Sequence, residues 1–272
     1  MTNIRALIID MDGVLWHGNT PLPGLKEFFT TLRALRLSFI LATNNASATP
    51  ESYVAKLKRM GVEVGPEEIL TSGIATACYL AERYDPKTTR VYAIGEEGLL
   101  GPLREAGFTL TKSHKETRDF RADVVVVGKD ETLTWDKLAT ATLNLNLGAA
   151  FVGTNADTTF PTEFGITHGN GAILAALTCA TGIEPLIVGK PEPIMYQQAL
   201  SRLKLEPQQV VAVGDRLETD ILGAVRAGIP SLLVLSGISR AEDLAAVDYR
   251  PDWILPDIRA LTKVLRETRE SS

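Results

Sequence analysis

Ala6-Leu7-Ile8-Ile9-Asp10-Met11-Asp12-Gly13-Val14-Leu15 is the stretch on which the reading of this chain turns. The apolar run Ala6 to Ile9 predicts a short buried strand. It delivers two carboxylates, Asp10 and Asp12, to its C-terminal end, and Gly13 lets the chain turn away. Residues i and i+2 of an extended chain point the same way. If extension continues through Met11, both carboxylates face one site. Two like charges that close are unfavourable unless a cation or a proton separates them. The motif therefore asks for a metal, or for a carboxyl that keeps its proton.

Outward from this motif the chain alternates. Leu25, Phe28, Phe29, Leu32 and Leu35 recur at helical spacing, and Leu37 to Ala42 is a second apolar run that ends in Thr43-Asn44-Asn45. Thr49-Pro50 opens a helix that runs to Met60 and is closed by Gly61. A further helix spans 73–83. Asp85-Pro86-Lys87 marks a break, after which strands are predicted at 90–95, 123–128 and 150–155, with helices at 96–106, 133–147 and 172–181. A polar loop fills 154–171. The first rhythm resumes at Pro185 to Pro191, a strand leading into Lys190. Helices at 194–203 and 219–227 flank a strand from Val210 to Asp215, and strands at 231–235 and 253–255 precede a C-terminal helix.

Strands alternating with helices imply parallel sheets covered on both faces. The expected class is α/β. Residues 1–76 and 185–272 form a Rossmann-like, doubly wound parallel-sheet core, and 77–184 form an inserted α/β unit. Ligands of such sheets bind at the carboxyl ends of the strands. Four predicted core strands end in chemistry there: Asp10/Asp12, Thr43/Asn44/Asn45, Lys190 and Asp215. An Asp-x-Asp-Gly segment alone is usually only a turn. The convergence is what gives it weight.

Acidic groups gathered at one sheet edge suit a hard divalent cation, and Mg²⁺ takes carboxylate oxygen while keeping water and substrate oxygens. Such a cation beside a lysine is a phosphate site. Asp10 can attack phosphorus as a carboxylate nucleophile. Asp12 can protonate the leaving oxygen and later deprotonate the attacking water. Thr43 and the backbone N–H groups after it can hold phosphoryl oxygens, and Lys190 can neutralise the same charge.

These residues resemble the motifs of the haloacid dehalogenase superfamily. Asp10-Met11-Asp12-Gly13-Val14-Leu15 looks like its Asp-x-Asp-Gly-x-Leu motif, Thr43 its second, Lys190 its third and Gly214-Asp215-Arg216-x-x-Thr219-Asp220 its acidic fourth. Thr43-Asn44-Asn45-Ala46, Gly189-Lys190-Pro191 and the long insert are similar to the NagD-like, p-nitrophenyl-phosphatase-type subfamily with a large α/β cap. The resemblance covers nearly the whole chain. It implies Mg²⁺-dependent hydrolysis of phosphomonoesters through a phospho-aspartate. Carried over residue by residue, it makes Asp10 nucleophile and metal ligand, Asp12 acid/base and metal ligand through its main-chain carbonyl, and Asp215 the third ligand. Asp220 would lie one step out, placing a metal-bound water or Lys190. Thr43 would contact phosphate, and Asn44 and Asn45 either join it there or satisfy the loop backbone. The insert would act as a lid. Its Thr154-Asn155-Ala156-Asp157 segment fits a family pattern facing the site, with Thr159, Phe160 and Glu163 as candidate contacts to the leaving group.

Composition narrows the alternatives. Of 272 residues 45% are hydrophobic, which marks an ordinary globular chain, and a net charge of −5 gives no basic face for nucleic acid. No apolar run reaches membrane-spanning length, and strand one begins too early for a signal peptide, so a cytoplasmic location is expected. Cys78 and Cys179 have no metal-ligand spacing and read as buried reduced thiols. No Gly-x-Gly-x-x-Gly follows a strand. The expected partner is a small phosphorylated metabolite: a sugar phosphate, nucleoside monophosphate, phosphoglycolate-like compound or aryl phosphate. A homodimer through the cap is an expectation of the resemblance only. Competing readings are a phosphomutase on the same core and a receiver-like phosphate sensor. The sensor has no need of Asp12.

Overall fold

The computed structural model describes residues 3–162 and 164–270. The chain opens with β1 (Ala6–Ile9), a small hairpin of β2 (Trp16–His17) and β3 (Thr20–Pro21), then α1 (Leu25–Ala34), β4 (Ser38–Thr43), α2 (Pro50–Arg59) and β5 (Ile69–Thr71). It continues through α3 (Ser72–Ala81), β6 (Arg90–Ile94), α4 (Glu97–Glu105), β7 (Thr109–Leu110), β8 (Val124–Val127), α5 (Trp135–Asn146) and β9 (Ala150–Gly153). A hairpin of β10 (Thr159–Thr162) and β11 (Gly165–His168), α6 (Asn170–Thr181) and β12 (Leu186–Ile187) follow. The last third is α7 (Pro193–Leu203), β13 (Val210–Gly214), α8 (Leu222–Ala227), β14 (Ser231–Val234), β15 (Trp253–Leu255) and α9 (Ile258–Glu270).

Two compact units result: residues 1–43, 50–70 and 190–272 form the first, and 44–49 and 71–189 the second. The first unit is built on a six-stranded sheet of order β15-β14-β13-β1-β4-β5, parallel in its recorded pairings. β1 lies between β13 and β4, and all four of its residues are buried. A strand apolar on both faces can stay in water only if helices cover both, which the βαβ crossovers ensure. α7 packs on β1 and β4, and α1 packs on α9. Phe29 meets both Phe28 and Phe39 edge to face, the arrangement ring quadrupoles favour. From β1 the chain adds strands outward on one side, then returns to add β13, β14 and β15 on the other. The strand order therefore reverses at the β1/β13 pair, the switch point where such sheets open a crevice.

The second unit has its own five-stranded sheet, β12-β9-β8-β6-β7, also parallel. Val124 to Val127 is its fully buried middle strand. Tyr92, Val125, Phe151, Leu145 and Leu174 share its core. Thr71 and Thr134 cap α3 and α5 by accepting from the N–H groups of Ile74 and Lys137. Residues 44–49 join this unit because Gly98 N–H donates to Ser47 C=O at 3.1 Å. A side chain at Gly98 would lie 2.5 Å from the Ala48 carbonyl, so that close approach requires glycine.

Several expectations change. The strand before Lys190 does not extend the core sheet: Leu186 and Ile187 pair with Val152 and Gly153 of β9 in the second unit. Lys190 thus enters the first unit from a turn, with only three strand-end groups on the core sheet itself. α3 lies whole within the second unit, whose boundary falls at Leu70/Thr71 rather than at 76/77. The polar loop 154–171 contains an antiparallel hairpin, with Phe160 opposite Thr167. Cys78 is half-buried and Cys179 exposed, against the expectation of two buried thiols.

Leu7 tests where the core sits. It is 1% exposed in the sheet centre, so Leu7→Ala should cost about 2–5 kcal/mol. Leu147→Ala, at a side chain 54% exposed, should change stability by less than about 0.5 kcal/mol. Urea unfolding of the two variants checks the contrast.

Candidate active site

The sheet register brings the ends of β1 and β13 together. Ile9 is opposite Val213, and Asp10 N–H donates to Val213 C=O at 2.8 Å. Asp10 therefore leaves the sheet beside Gly214, and Asp215 follows one residue later. Asp220 sits on a π turn, Leu217–Ile221, that leads into α8. Ligand atoms of Asp10, Asp215 and Asp220 all lie within 4.8 Å of one another.

Lys190 is clasped among them. Its Nζ donates to Asp10 Oδ1 at 2.5 Å, to Asp220 Oδ1 at 2.6 Å and to the Ala42 carbonyl at 3.2 Å. Lys190 is 3% exposed, so its ammonium has exchanged water for protein acceptors, these three among them. Burial works against its charge, but Asp10 and then Asp220 overcome it and hold the Lys190 pKa well above the usual range. Asp220 is fixed from behind: Arg216 N–H donates to its Oδ2 at 3.1 Å, and Tyr196 Oη donates to its main-chain carbonyl at 2.8 Å. Both Asp220 oxygens are thus engaged, one of them by the lysine. Burial is also the main force pushing the Tyr196 hydroxyl up.

Three carboxyls face one ammonium, and with all three ionised the cluster carries two negative charges in excess. Burial, more than any neighbour, pushes Asp10 well above the usual carboxylate range; Lys190 opposes that, and Asp220 and Asp215 add to it. Asp215 is pushed up to about 6, again first by burial and then by Asp220, while a hydrogen bond from Ile238 N–H pulls the other way. An all-oxygen donor set with two charges in excess fits a hard divalent cation. The backbone packs closely around Asp215. A Cβ at Gly13 (φ +83°) would lie 2.3 Å from Asp215 Oδ2, and one at Gly237 1.9 Å from the same atom. Ile238 N–H donates to that oxygen at 2.8 Å, Ser239 N–H to the Asp215 carbonyl at 3.0 Å, and Ser236 Oγ to the Gly13 carbonyl at 2.8 Å. The loop Ser236 to Ser239 was not read from the sequence, although it follows the end of β14 at the same sheet edge.

Asp12 stands apart from this cluster. Its side chain is exposed, and its Oδ1 accepts a hydrogen bond from Trp16 Nε1 at 2.8 Å. Thr43 is buried at the end of β4. Asn44 and Asn45 belong to the second unit and have work there. Asn44 Nδ2 donates to Asp157 Oδ1 at 3.0 Å, and Asn45 Oδ1 accepts from both N–H and Oγ of Ser47 at 2.8 Å. Asn155 Nδ2 in turn donates to the Asn44 carbonyl at 2.8 Å. So Asn155 and Asp157, proposed from resemblance to face a ligand, tie residues 44–49 into their unit. Phe160 is half-buried, with Lys129 Nζ 4.4 Å from its ring centre. Thr159 is exposed, and Glu163 lies outside the described residues.

The chain matches the family model described as haloacid dehalogenase-like hydrolase over residues 7–109 and a HAD hydrolase-like model over 187–261. It is 36% identical to an acid sugar phosphatase of Staphylococcus haemolyticus over 270 residues, 99% of this chain and 100% of that one. NagD from Escherichia coli K-12 superposes with a TM-score of 0.86 at 35% identity, covering 94% and 97% of the two chains. The glycerol phosphate phosphatase of Mycobacterium tuberculosis, solved with magnesium, superposes with a TM-score of 0.87 at 36% identity, covering 97% of this chain and 78% of that one.

Two tests follow from the charge balance. A carboxyl raised to about 6 from its ordinary value near 4 binds a proton in the fold that the unfolded chain has released, so its contribution to stability is lost as pH rises through that window. A divalent cation must displace the proton. Mg²⁺ should therefore raise the melting temperature more at pH 7.5 than at pH 5, with proton release on titration near pH 6; calorimetry in buffers of different ionisation enthalpy reads this. Asp220→Ala leaves the buried ammonium short of a partner and should cost about 3–5 kcal/mol in urea unfolding.

Proposed function

Since the chain belongs to the haloacid dehalogenase-like hydrolases and is a phosphatase of the NagD-like kind, we propose that it hydrolyses small phosphomonoesters, sugar and aryl phosphates first among them, through a phospho-aspartate on Asp10. The observation that carries this reading is the buried clasp of Lys190 on Asp10 and Asp220 beside Asp215, at the switch point of the sheet. The relatives act, by their names, on sugar phosphate and glycerol phosphate. Both are small monoesters with poor leaving groups.

Lys190 holds Oδ1 of Asp10, which leaves Oδ2 to attack phosphorus. As the new P–O bond forms, the bond to the leaving oxygen breaks, and Asp12 gives that oxygen its proton. Asp12, now a carboxylate, takes a proton from water. The water oxygen attacks the same phosphorus, which frees Asp10 and inorganic phosphate. The Lys190 ammonium and the Thr43 hydroxyl balance charge on the phosphoryl oxygens. Asp220 keeps Lys190 in place. Asp10, Asp215 and the main-chain carbonyl of Asp12 would hold Mg²⁺, whose charge supplies Lewis-acid stabilisation of the phosphoryl group when bound.

Phosphate release from a panel of phosphomonoesters, with Mg²⁺ or with chelator, tests this. Turnover should require Mg²⁺. Asp10→Asn should fall to background, and Asp12→Asn should lose roughly 10²–10⁴-fold. Full activity in chelator would remove the metal from the reading, and wild-type rates in Asp10→Asn would remove the nucleophile. Stoichiometric labelling of the wild type without turnover would mark a sensor instead.

A further inference from the structure

Asp12 is an exposed residue, yet its carboxylate is not left to solvent. Trp16, which donates to it, is fully buried, at 0% exposure. The two residues are also tied through the main chain: Asp12 and Trp16 form an isolated bridge, and Gly13 N–H donates to the Trp16 carbonyl at 2.8 Å. α2 grips the indole from outside that turn. The Tyr53 ring stacks with it at 6.4 Å between centroids and 21° between planes, and Lys56 Nζ stands 4.2 Å from its centre. Burial pushes the Lys56 ammonium down while Asp12 pulls it up, so the cation on the ring senses the same carboxylate.

A buried indole N–H needs an acceptor. Here the acceptor is the carboxylate of an exposed residue. A fully packed ring with two torsions does not follow a carboxylate that swings, so the bond constrains Asp12 and not the reverse. It fixes which oxygen is engaged. With Oδ1 on the indole, Oδ2 is the oxygen available to carry a proton.

We propose that Trp16 is a positioning residue for the Asp12 acid/base, holding Oδ1 so that Oδ2–H is presented to the leaving-group oxygen. This rests on the reading of Asp12 as acid/base. When Oδ2 gives up its proton to the leaving oxygen as the P–O bond breaks, the charge left on the carboxylate is already met by the indole N–H, a charge-assisted bond. The device matters most where the leaving group needs a proton. Alkyl phosphates, sugar phosphates included, need it; p-nitrophenyl phosphate, whose phenolate departs readily, scarcely does.

The test compares kcat/KM, which reports events up to departure of the leaving group, for glycerol phosphate and p-nitrophenyl phosphate. Trp16→Phe removes the N–H and keeps an aromatic ring. A second variant, β-(3-benzothienyl)alanine at position 16, replaces only the N–H by sulfur and keeps the bicyclic shape, so the comparison survives if the Phe variant folds poorly. Both should lose roughly 10–100-fold on glycerol phosphate and less than about threefold on p-nitrophenyl phosphate. Trp16→Phe combined with Asp12→Asn should be no slower on glycerol phosphate than Asp12→Asn alone. Equal losses on both esters would mean that Trp16 only supports the fold and would overturn the proposal. If Asp12→Asn itself shows no dependence on the leaving group, the acid/base reading fails; if it does and the position-16 variants do not, the positioning role alone fails.

Discussion

A buried lysine held between two carboxylates is the constraint to which the rest of this molecule answers. Taking an ammonium and its partners out of water is costly, and an apolar replacement of similar volume is often as stable or more so. Lys190 sits at 3% exposure nonetheless, with Asp10 at 2.5 Å and Asp220 at 2.6 Å. The cluster carries more acid than base, so the fold by itself leaves it unbalanced toward negative charge. That imbalance is what a divalent cation would offset.

The surrounding architecture keeps this arrangement from relaxing. β1 and β13, about two hundred residues apart in sequence, are neighbours whose register sets Asp10 against Gly214. Gly13 and Gly237 approach Asp215 so closely that no side chain fits at either position. Arg216 N–H and Tyr196 Oη fix Asp220 in turn. Each device acts on the partner of a charged group, which is how packing converts a weakly specified polar cluster into one geometry. Asp12 is handled differently. It lies at an exposed position and is held through one oxygen by a buried indole.

Much of this was legible in the residues. Apolar runs ending in Asp10, Thr43 and Asp215 announced strands and their chemical ends, because a both-faces-buried strand has no polar position until it leaves the sheet. Other features were not. Leu186-Ile187 reads as a core strand, yet it pairs with β9, since two apolar residues fit either sheet and only the partner decides. Asn155 and Asp157 carry side chains suited to a ligand, but their hydrogen bonds tie Asn44 into the second unit. The hairpin of β10 and β11 is short and polar, with exposed Ile166 on one strand, so its alternation carries little signal.

The sequence by itself determined the α/β class, the identity of the acids and the lysine, and their order along the chain. Those follow from periodicity and from where apolar runs stop, both local properties. Tertiary structure alone decided which acid pairs with Lys190, which carboxyls burial pushes up, and which oxygen of Asp12 is held by Trp16. Desolvation and hydrogen-bond direction depend on neighbours brought from distant parts of the chain, and no local pattern encodes them.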